Sequence, residues 1–552
     1  MGAPTATLVY AVVTVALFRE LVPNITTHLY AYLGDPLLNA AILAWNATEI
    51  PLTDRWWNFP SFAPLTGVTA FTEHLLLAYP IASPIFWLTG NAILAFNVVF
   101  LLSFPLNGLA AYALAREVTG SRPAAFVGGL AYAFAPYQAV QMTHLQMLMG
   151  FGIPLTLLGL HRYINAVRLK PDATPEGVGP KPDTTPEGVG LKPDTTTIRR
   201  RRTGLAIFGF GWLASALATA YMIVFVPVLV VLWCLWFVRP AEWKRLVPPL
   251  ALAVLVVVAM TPLLLGYQSR QDAYGLERGY DEIRSFAADI TGVGRIFQRS
   301  TLWKGVLPDT YEEGAIFPGF MIVALGVCAL VLRRAVIAFY AVAALVMWSL
   351  TLGPEPEWNG NPIAYGPYRL LMELPGLDSI RVPARAWLPA ALCLAVLAAF
   401  GVKALVERVP RHARAIAFAV GLAIVAEGWF YEVIVAAPRM TIERAIPEGA
   451  VVLDLPIDEA FWNAIPQYRA VIGRYRAISG YSGYEPPHFN PLRHAIADLV
   501  PGTLEPYRRA ADVWVIIRPG QTPRVVEWIV GQPGAEKMFE QNGTLLYRLP
   551  RL

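Results

Sequence analysis

The amino-acid sequence predicts a mainly α-helical, polytopic transmembrane bundle with a small α/β domain at its C-terminal end. Three observations carry that prediction. Hydrophobic residues make up 56% of the 552-residue chain and charged residues only 15%, a balance that the surface of a soluble protein of this size does not tolerate. Charge-free apolar runs recur at 1–18, 91–113, 123–140, 145–160, 204–238, 247–269, 314–332, 335–354, 386–402 and 415–426. Most are near the roughly 20 residues with which a helix crosses a bilayer core of about 30 Å. After residue 438 or so the composition turns soluble.

The first run has no basic n-region and no small-x-small cleavage site, so it reads as a retained span rather than a signal peptide. Lys and Arg then set the topology, because positive clusters mark cytoplasmic loops. The clusters are Arg116 with Arg122, Arg199 to Arg202, Arg239 with Lys244 and Arg245, Arg333 with Arg334, and Lys403 through Arg414. Placing them inside leaves 20–90, 140–145, a turn near 220, 267–313, 353–385 and everything after 436 outside. The alternation gives about eleven crossings, with the N-terminus cytoplasmic and the C-terminus outside. Residues 71–88 are apolar enough to cross, but counting them as a span breaks the alternation. With Pro80 and Pro84 inside and Glu73 and His74 at the start, they read as a re-entrant or interfacial helix on the outer face.

The same loop logic explains the formal charge of +5, which reads as topology rather than as a nucleic-acid surface. Cys234, Cys328 and Cys393 each sit within an apolar run and read as small core residues, not as disulfides or metal ligands. Between 168 and 203 the chain repeats KPDATPEGVGP, KPDTTPEGVGL and KPDTTT, with Lys170, Lys181 and Lys192 spaced by eleven. Such a Pro/Gly/Thr-rich stretch buries no core and is expected to be a disordered cytoplasmic linker inserted in the membrane domain. The membrane domain is thus expected over 1–437 and a soluble domain over 438–552. In the latter, 450–457, 511–518 and 544–549 read as strands and 525–530 as a helix.

Ionisable groups at a membrane edge are costly and are functional candidates by default. Asp35 sits in a Gly-Asp-Pro turn, ahead of Leu37, Leu38, Ile42 and Trp45 at helical spacing. That pattern describes an amphipathic helix on the outer membrane surface. Asp35 is either its cap or a carboxylate held between headgroups and water. Glu73 and His74 open the 71–88 run, and His144 lies at the outer end of a span between Gln141 and Gln146. Glu312 and Glu313 precede one span, and Arg381 and Arg385 precede another. Arginines at an outer span end run against the positive-inside tendency, so they call for an anionic partner such as a lipid phosphate or pyrophosphate, or else snorkel to ordinary phospholipid.

In order along the chain come Gly34-Asp35-Pro36 opening a helix, PLTGVTAFTEHLL, AREVTGSRPAAFVGGLAYAFAPYQ, the outer His144, GAIFPG, RVPARAW and an outer C-terminal domain. This order resembles the GT-C class of integral membrane glycosyltransferases, in particular its bacterial multi-pass members, and more distantly oligosaccharyltransferase catalytic subunits. The resemblance implies a GT-C-like bundle with outer juxtamembrane helices, in the inner membrane of a bacterium, and a periplasmic or extracellular C-terminal domain. It implies a polyprenyl-phosphate-linked sugar as donor, membrane lipids as surroundings, and an acceptor glycan, lipid or protein that the sequence does not name. Asp35 takes the place of the acidic residue that acts as general base or helps hold a metal. Glu73, His74, His144, Arg381 and Arg385 would bind substrate or donor phosphate, and Glu313 a metal or the acceptor. No Asp-x-Asp occurs at Asp35 or His144, which leaves a divalent cation such as Mg or Mn open as cofactor. Two other functions stay in view: a lipid-linked sugar flippase, and a non-catalytic scaffold with a degenerate site. A transporter is expected to show repeated halves and charges at the midplane, whereas these charges cluster at one face.

Overall fold

A computed structural model describes residues 2–168, 195–310, 312–374, 380–457 and 460–552. The repeats between 169 and 194, expected to be a linker, lie outside the described residues. In chain order the principal elements are α1 (Ala3–Leu17), β1 (His28–Tyr30), α2 (Asp35–Thr48), α3 (Tyr79–Thr89), α4 (Ala92–Thr119) and α5 (Arg122–Phe134). Next come α6 (Gly152–Arg168), α7 (Thr195–Ala218), α8 (Ala220–Phe237), α9 (Val247–Tyr274), α10 (Phe320–Leu330), α11 (Ala335–Thr351), α12 (Trp387–Arg408) and α13 (Ala413–Glu427). The C-terminal part carries β2 (Ile434–Ala436), β3 (Val451–Leu455), α14 (Ala464–Gly473), β4 (Arg476–Ala477), β5 (Val513–Ile517), α15 (Pro523–Val530), β6 (Glu536–Gln541) and β7 (Thr544–Leu549).

Among the described residues, five helices are long and apolar enough to cross a membrane: Ala92–Thr119, Leu145–Val167, Ala220–Phe237, Pro240–Tyr274 and Pro383–Arg408. Other charge-free runs form shorter apolar helices, among them α1, α10 and α11. The run 123–140 is broken at Ala135, so that α5 has only 13 residues and a separate turn starts at Pro136. In the 71–88 region the helix α3, which ends at Thr89, has 11 residues, about 16 Å of axis at 1.5 Å per residue, too short to span the core.

Helix α12 is buried from Trp387 to Val402 at nearly every position, because it is rich in residues small enough to let neighbouring backbones in. A methyl group added at Gly401 would fall 2.1 Å from the Leu325 carbonyl oxygen of α10. Close approach through small residues is the packing device available where no hydrophobic effect separates helix from lipid. Helices α6 and α7 use it on both sides, with Gly152 and Gly159 facing Gly204 and Gly211. A Cβ at Gly159 would lie 2.3 Å from the Phe208 backbone nitrogen, and one at Gly211 would lie 2.5 Å from that of Thr156. Seven residues are about two turns, so each pair shares one helix face. Gly159→Val is therefore expected to cost about 1–3 kcal/mol, read as a lower melting temperature of the detergent-solubilised protein. Gly294→Ala, with open space around it, serves as the near-neutral control.

At one end of this pair, Glu117 of α4 binds Arg162 at 3.0 Å and Arg200 at 2.6 Å. Of the cysteines expected to be core residues, Cys393 is buried, Cys234 is half-buried and Cys328 is exposed; all are free. An apolar run does not distinguish a lipid-facing side from an inward one, and Cys328 is exposed, contrary to the core role expected of it.

The C-terminal sheet has the order β6-β7-β5-β3-β4. Strands β3 and β5 pair in parallel, Val451 opposite Val513 through Leu455 opposite Ile517. Both are buried along their full length, as expected for parallel strands covered on two faces. One face packs Val451, Leu453, Val513 and Val515 under Ile496 and Ile529, and the other packs Val452, Trp514 and Ile516 under Ile442 and Ala470. The β6–β7 hairpin turns at Asn542-Gly543, both at positive φ, the pair a two-residue turn of that hand requires.

Extended pieces of residues 20–90 join this part to the helices. Strand β1 pairs antiparallel with β2. Beyond β4, the Ala63 N–H donates to the Ala477 carbonyl at 2.9 Å and the Ala477 N–H to that of Pro60 at 3.1 Å. Helix α14 packs against α2. Consequently α2 is buried on almost every side, Pro36 through Ala44 included, and does not lie half-open on a surface. Its polar residues are satisfied inside: Asn39 donates to the Thr143 carbonyl, and Asn46 to that of His74.

Candidate active site

Asp35 is the first residue of α2, and Gly34 holds the N-cap position. Its carboxylate takes a phenol on each oxygen: Tyr32 donates to Oδ2 at 2.9 Å and Tyr481 to Oδ1 at 2.8 Å. The carboxylate therefore does not serve as the cap of its helix. His144 Nε2 lies 3.6 Å from Asp35 Oδ2 and 4.0 Å from Glu313 Oε1. Its loop is tied to α2 by the Asn39–Thr143 bond. Arg385 then closes the row, giving Glu313 Oε1 hydrogen bonds from Nη2 at 2.9 Å and from Nε at 3.2 Å. Carboxylate, imidazole, carboxylate and guanidinium thus come from α2, the loop around His144, the loop before α10 and the turn before α12.

Burial pushes the Glu313 carboxyl up, but the Arg385 charge, His144 and the Arg385 hydrogen bonds outweigh it and hold the group below its ordinary range. Glu73 behaves oppositely. Its burial pushes the carboxyl up, and Arg385 and the Thr219 hydroxyl offset that only in part. Thr219, which donates to Glu73 at 3.0 Å, stands at the break between α7 and α8 and caps α8 through Tyr221 N. The turn expected near 220 therefore supplies a side chain to the site.

His74 is held by the Leu76 N–H on Nδ1 at 3.1 Å, and burial lowers its pKa from 6.5 to about 4. At neutral pH it offers hydrogen bonds and no charge. Because the folded value is depressed, the stability it contributes is complete above about pH 6.5 and is lost as pH falls toward about 4. At pH 5 that loss is about 2 kcal/mol. Melting curves between pH 7.5 and 5 are expected to show it, and His74→Gln to flatten them.

Asp35, Glu73, His74, His144, Glu313, Arg381 and Arg385 all line one cavity of about 1530 Å³. Arg381 faces it between Glu282 at 3.7 Å and the Gly483 carbonyl at 3.5 Å, its guanidinium over the Phe286 ring. A smaller apolar cavity of about 70 Å³, walled by Trp212, Val226, Pro227 and Met260, shares Ile223 and Leu264 with the large one.

Sequence reasoning did not find Tyr32, Tyr481, Thr219 or Arg278. Tyr32 stands three residues before Asp35, and the Gly-aromatic segment SGYSGY at 479–484 was the available signal for Tyr481. Arg278 lies on the cavity wall with its guanidinium 3.5 Å from the Tyr484 ring centre.

A divalent cation is poorly served here. Among the described residues no three His, Cys, Asp or Glu side chains are grouped to hold a metal ion, and Glu313 Oε1, the carboxylate oxygen facing His144, already takes Arg385.

No family model and no curated protein matches the sequence. Solved structures do match over nearly the whole chain. ArnT from Cupriavidus metallidurans, in its apo state, has a TM-score of 0.50 at 12% identity, covering 99% of this chain and 98% of that one. The arabinofuranosyltransferase AftD from Mycobacteria has a TM-score of 0.52 at 14% identity, covering 100% of this chain and 42% of its own. An oligosaccharyltransferase from Archaeoglobus fulgidus has a TM-score of 0.48 at 12% identity. The chain has the fold of the GT-C membrane proteins, as the motif order implied. At these identities the likeness establishes the fold, and the chemistry has to come from the site.

Proposed function

We propose that this protein is a membrane glycosyltransferase that moves a sugar from a polyprenyl-phosphate donor to an acceptor hydroxyl, with Asp35 as general base. The observation that carries the proposal is the row Asp35–His144–Glu313–Arg385 on the wall of one large cavity, in a fold shared with a named arabinofuranosyltransferase. The acceptor hydroxyl gives its proton to Asp35 as its oxygen bonds the anomeric carbon. The bond from that carbon to the phosphate oxygen breaks, and the phosphate leaves with the electron pair. Arg381 and Arg385 meet that developing charge as fixed cations on the cavity wall. One displacement inverts the anomeric centre. The adjoining apolar cavity of about 70 Å³ has room for only the first carbons of the isoprenoid tail. Glu73, pushed toward its neutral form, and uncharged His74 suit sugar hydroxyls better than phosphate.

In this reading the cavity opens to the non-cytoplasmic side of a bacterial inner membrane, with the N-terminus inside and residues 438–552 outside. The test profiles polyprenyl-linked sugars and glycoconjugates in cells carrying wild-type or Asp35→Asn protein. A donor that accumulates only in the variant names the substrate. Unchanged pools overturn the assignment and favour a scaffold, and a pool trapped on the cytoplasmic face favours a flippase.

A further inference from the structure

We infer that Tyr481, carried by the C-terminal domain, is the positioning residue for Asp35, so that this domain completes the transfer site. The inference rests on the proposed role of Asp35 and adds what holds that carboxylate. Tyr481 reaches it from 446 residues away along the chain. Such a contact forms reproducibly only if the segment around it is fixed, and the segment is fixed at both ends. The Tyr481 N–H donates to Gln467 Oε1 at 2.8 Å, a buried amide on α14. On the far side, the Tyr484 N–H donates to the Phe71 carbonyl at 3.1 Å, and the Gly483 carbonyl accepts from Arg278 at 2.6 Å.

Helix α14 is itself locked to the sheet by charge. Its Arg469 lies 3.2 Å from Glu443, which also binds Arg518 at 2.6 Å, and Arg518 binds Asp454 of β3 at 2.6 Å. Glu443 is buried, so its charge depends on these partners. The series runs from sheet to α14 to the 479–484 segment to the phenol on Asp35.

The phenol also selects an oxygen. Oδ2 accepts from Tyr32 and faces His144, whereas Oδ1 accepts from Tyr481 alone among the hydrogen bonds described. Oδ1 is the less encumbered oxygen to take the acceptor's proton, and Tyr481 aims it while keeping its own proton. Removing a hydrogen bond to a charged group, with the ring volume kept, is expected to cost about 10- to 100-fold in rate.

The test uses full-length protein. In membrane vesicles supplied with the polyprenyl-linked sugar that accumulates in Asp35→Asn cells, Tyr481→Phe is expected to lower kcat by about 10- to 100-fold with KM within about twofold. Placing 4-aminophenylalanine at 481, which restores a donor at the same reach, is expected to recover much of the loss. A residue that only packs would be satisfied by Phe. Unchanged kcat, a change in KM alone, or no recovery would overturn the inference. A readout without substrate separates this from the function itself: the 19F resonance of 3-fluorotyrosine at 481 is expected to move on Asp35→Asn. A resonance that does not move removes the contact and the inference with it. If Asp35→Asn leaves every sugar pool unchanged, the transferase reading falls, and the resonance still decides whether Tyr481 holds Asp35.

Discussion

Replacing Asp35 with Asn is expected to lower sugar transfer by about 10²- to 10⁴-fold, the contribution typical of a positioned general base, with the protein still folded and membrane-embedded. The two side chains have nearly the same shape, but the amide takes no proton from an attacking hydroxyl. Little stability is at stake. Gly34, not Asp35, occupies the cap position of α2, and the Asp35 side chain keeps 24% of its exposure. The phenols of Tyr32 and Tyr481 can still bond an amide oxygen, so the loop from the C-terminal domain stays docked. Measured kcat/KM beside the melting temperature decides the matter. A variant with unchanged melting and near-wild-type turnover removes Asp35 from the chemistry. A variant that fails to insert would mean that the carboxylate serves the fold.

Much of this arrangement is legible in the sequence, because two independent codes converge on it. Charge-free runs marked apolar helices, and the Lys and Arg clusters divided the loops between two expected sides. Together they gathered Asp35, Glu73, His144, Glu313, Arg381 and Arg385 on one face, and all six line one cavity. In the C-terminal part, 450–457, 511–518 and 544–549 contain β3, β5 and β7, since half or more of each reads as apolar strand between turn residues. The lateral contacts were not legible. Strand β4 has two residues, too few to give a period, yet it carries the sheet edge onto residues 60–63 and leads the chain to Tyr481. Hydropathy counts residues and is blind to a break in the axis, so 123–140 passed for one span while its chain turns at Pro136. Likewise Leu37, Leu38, Ile42 and Trp45 gave α2 an apolar face, but nothing local showed that α14 covers the opposite one.

The second large effect belongs to the Arg385–Glu313 pair, where stability and chemistry can be separated. Arg385 is buried to 4% of its exposure, and the Glu313 carboxyl stays low because that guanidinium first, with His144 and Gln141, outweighs burial. Arg385→Met therefore leaves a buried carboxylate without its main partner, a loss expected to cost about 3–5 kcal/mol. It also removes a cation that would meet the departing phosphate, which is expected to lower transfer by at least about 10²-fold. Adding Glu313→Gln to the same protein removes the stranded charge, and most of the lost melting temperature is expected to return. The double-mutant cycle should then show a coupling of about 2 kcal/mol or more in stability. Transfer is expected to stay low in the double variant, because neither substitution restores a positive charge beside the leaving group. Recovery of both properties together would give Arg385 a different meaning. It would then be the counterion of Glu313 and nothing more, and the departing phosphate would have to be met by Arg381 and Arg278, the guanidiniums held against Gly483.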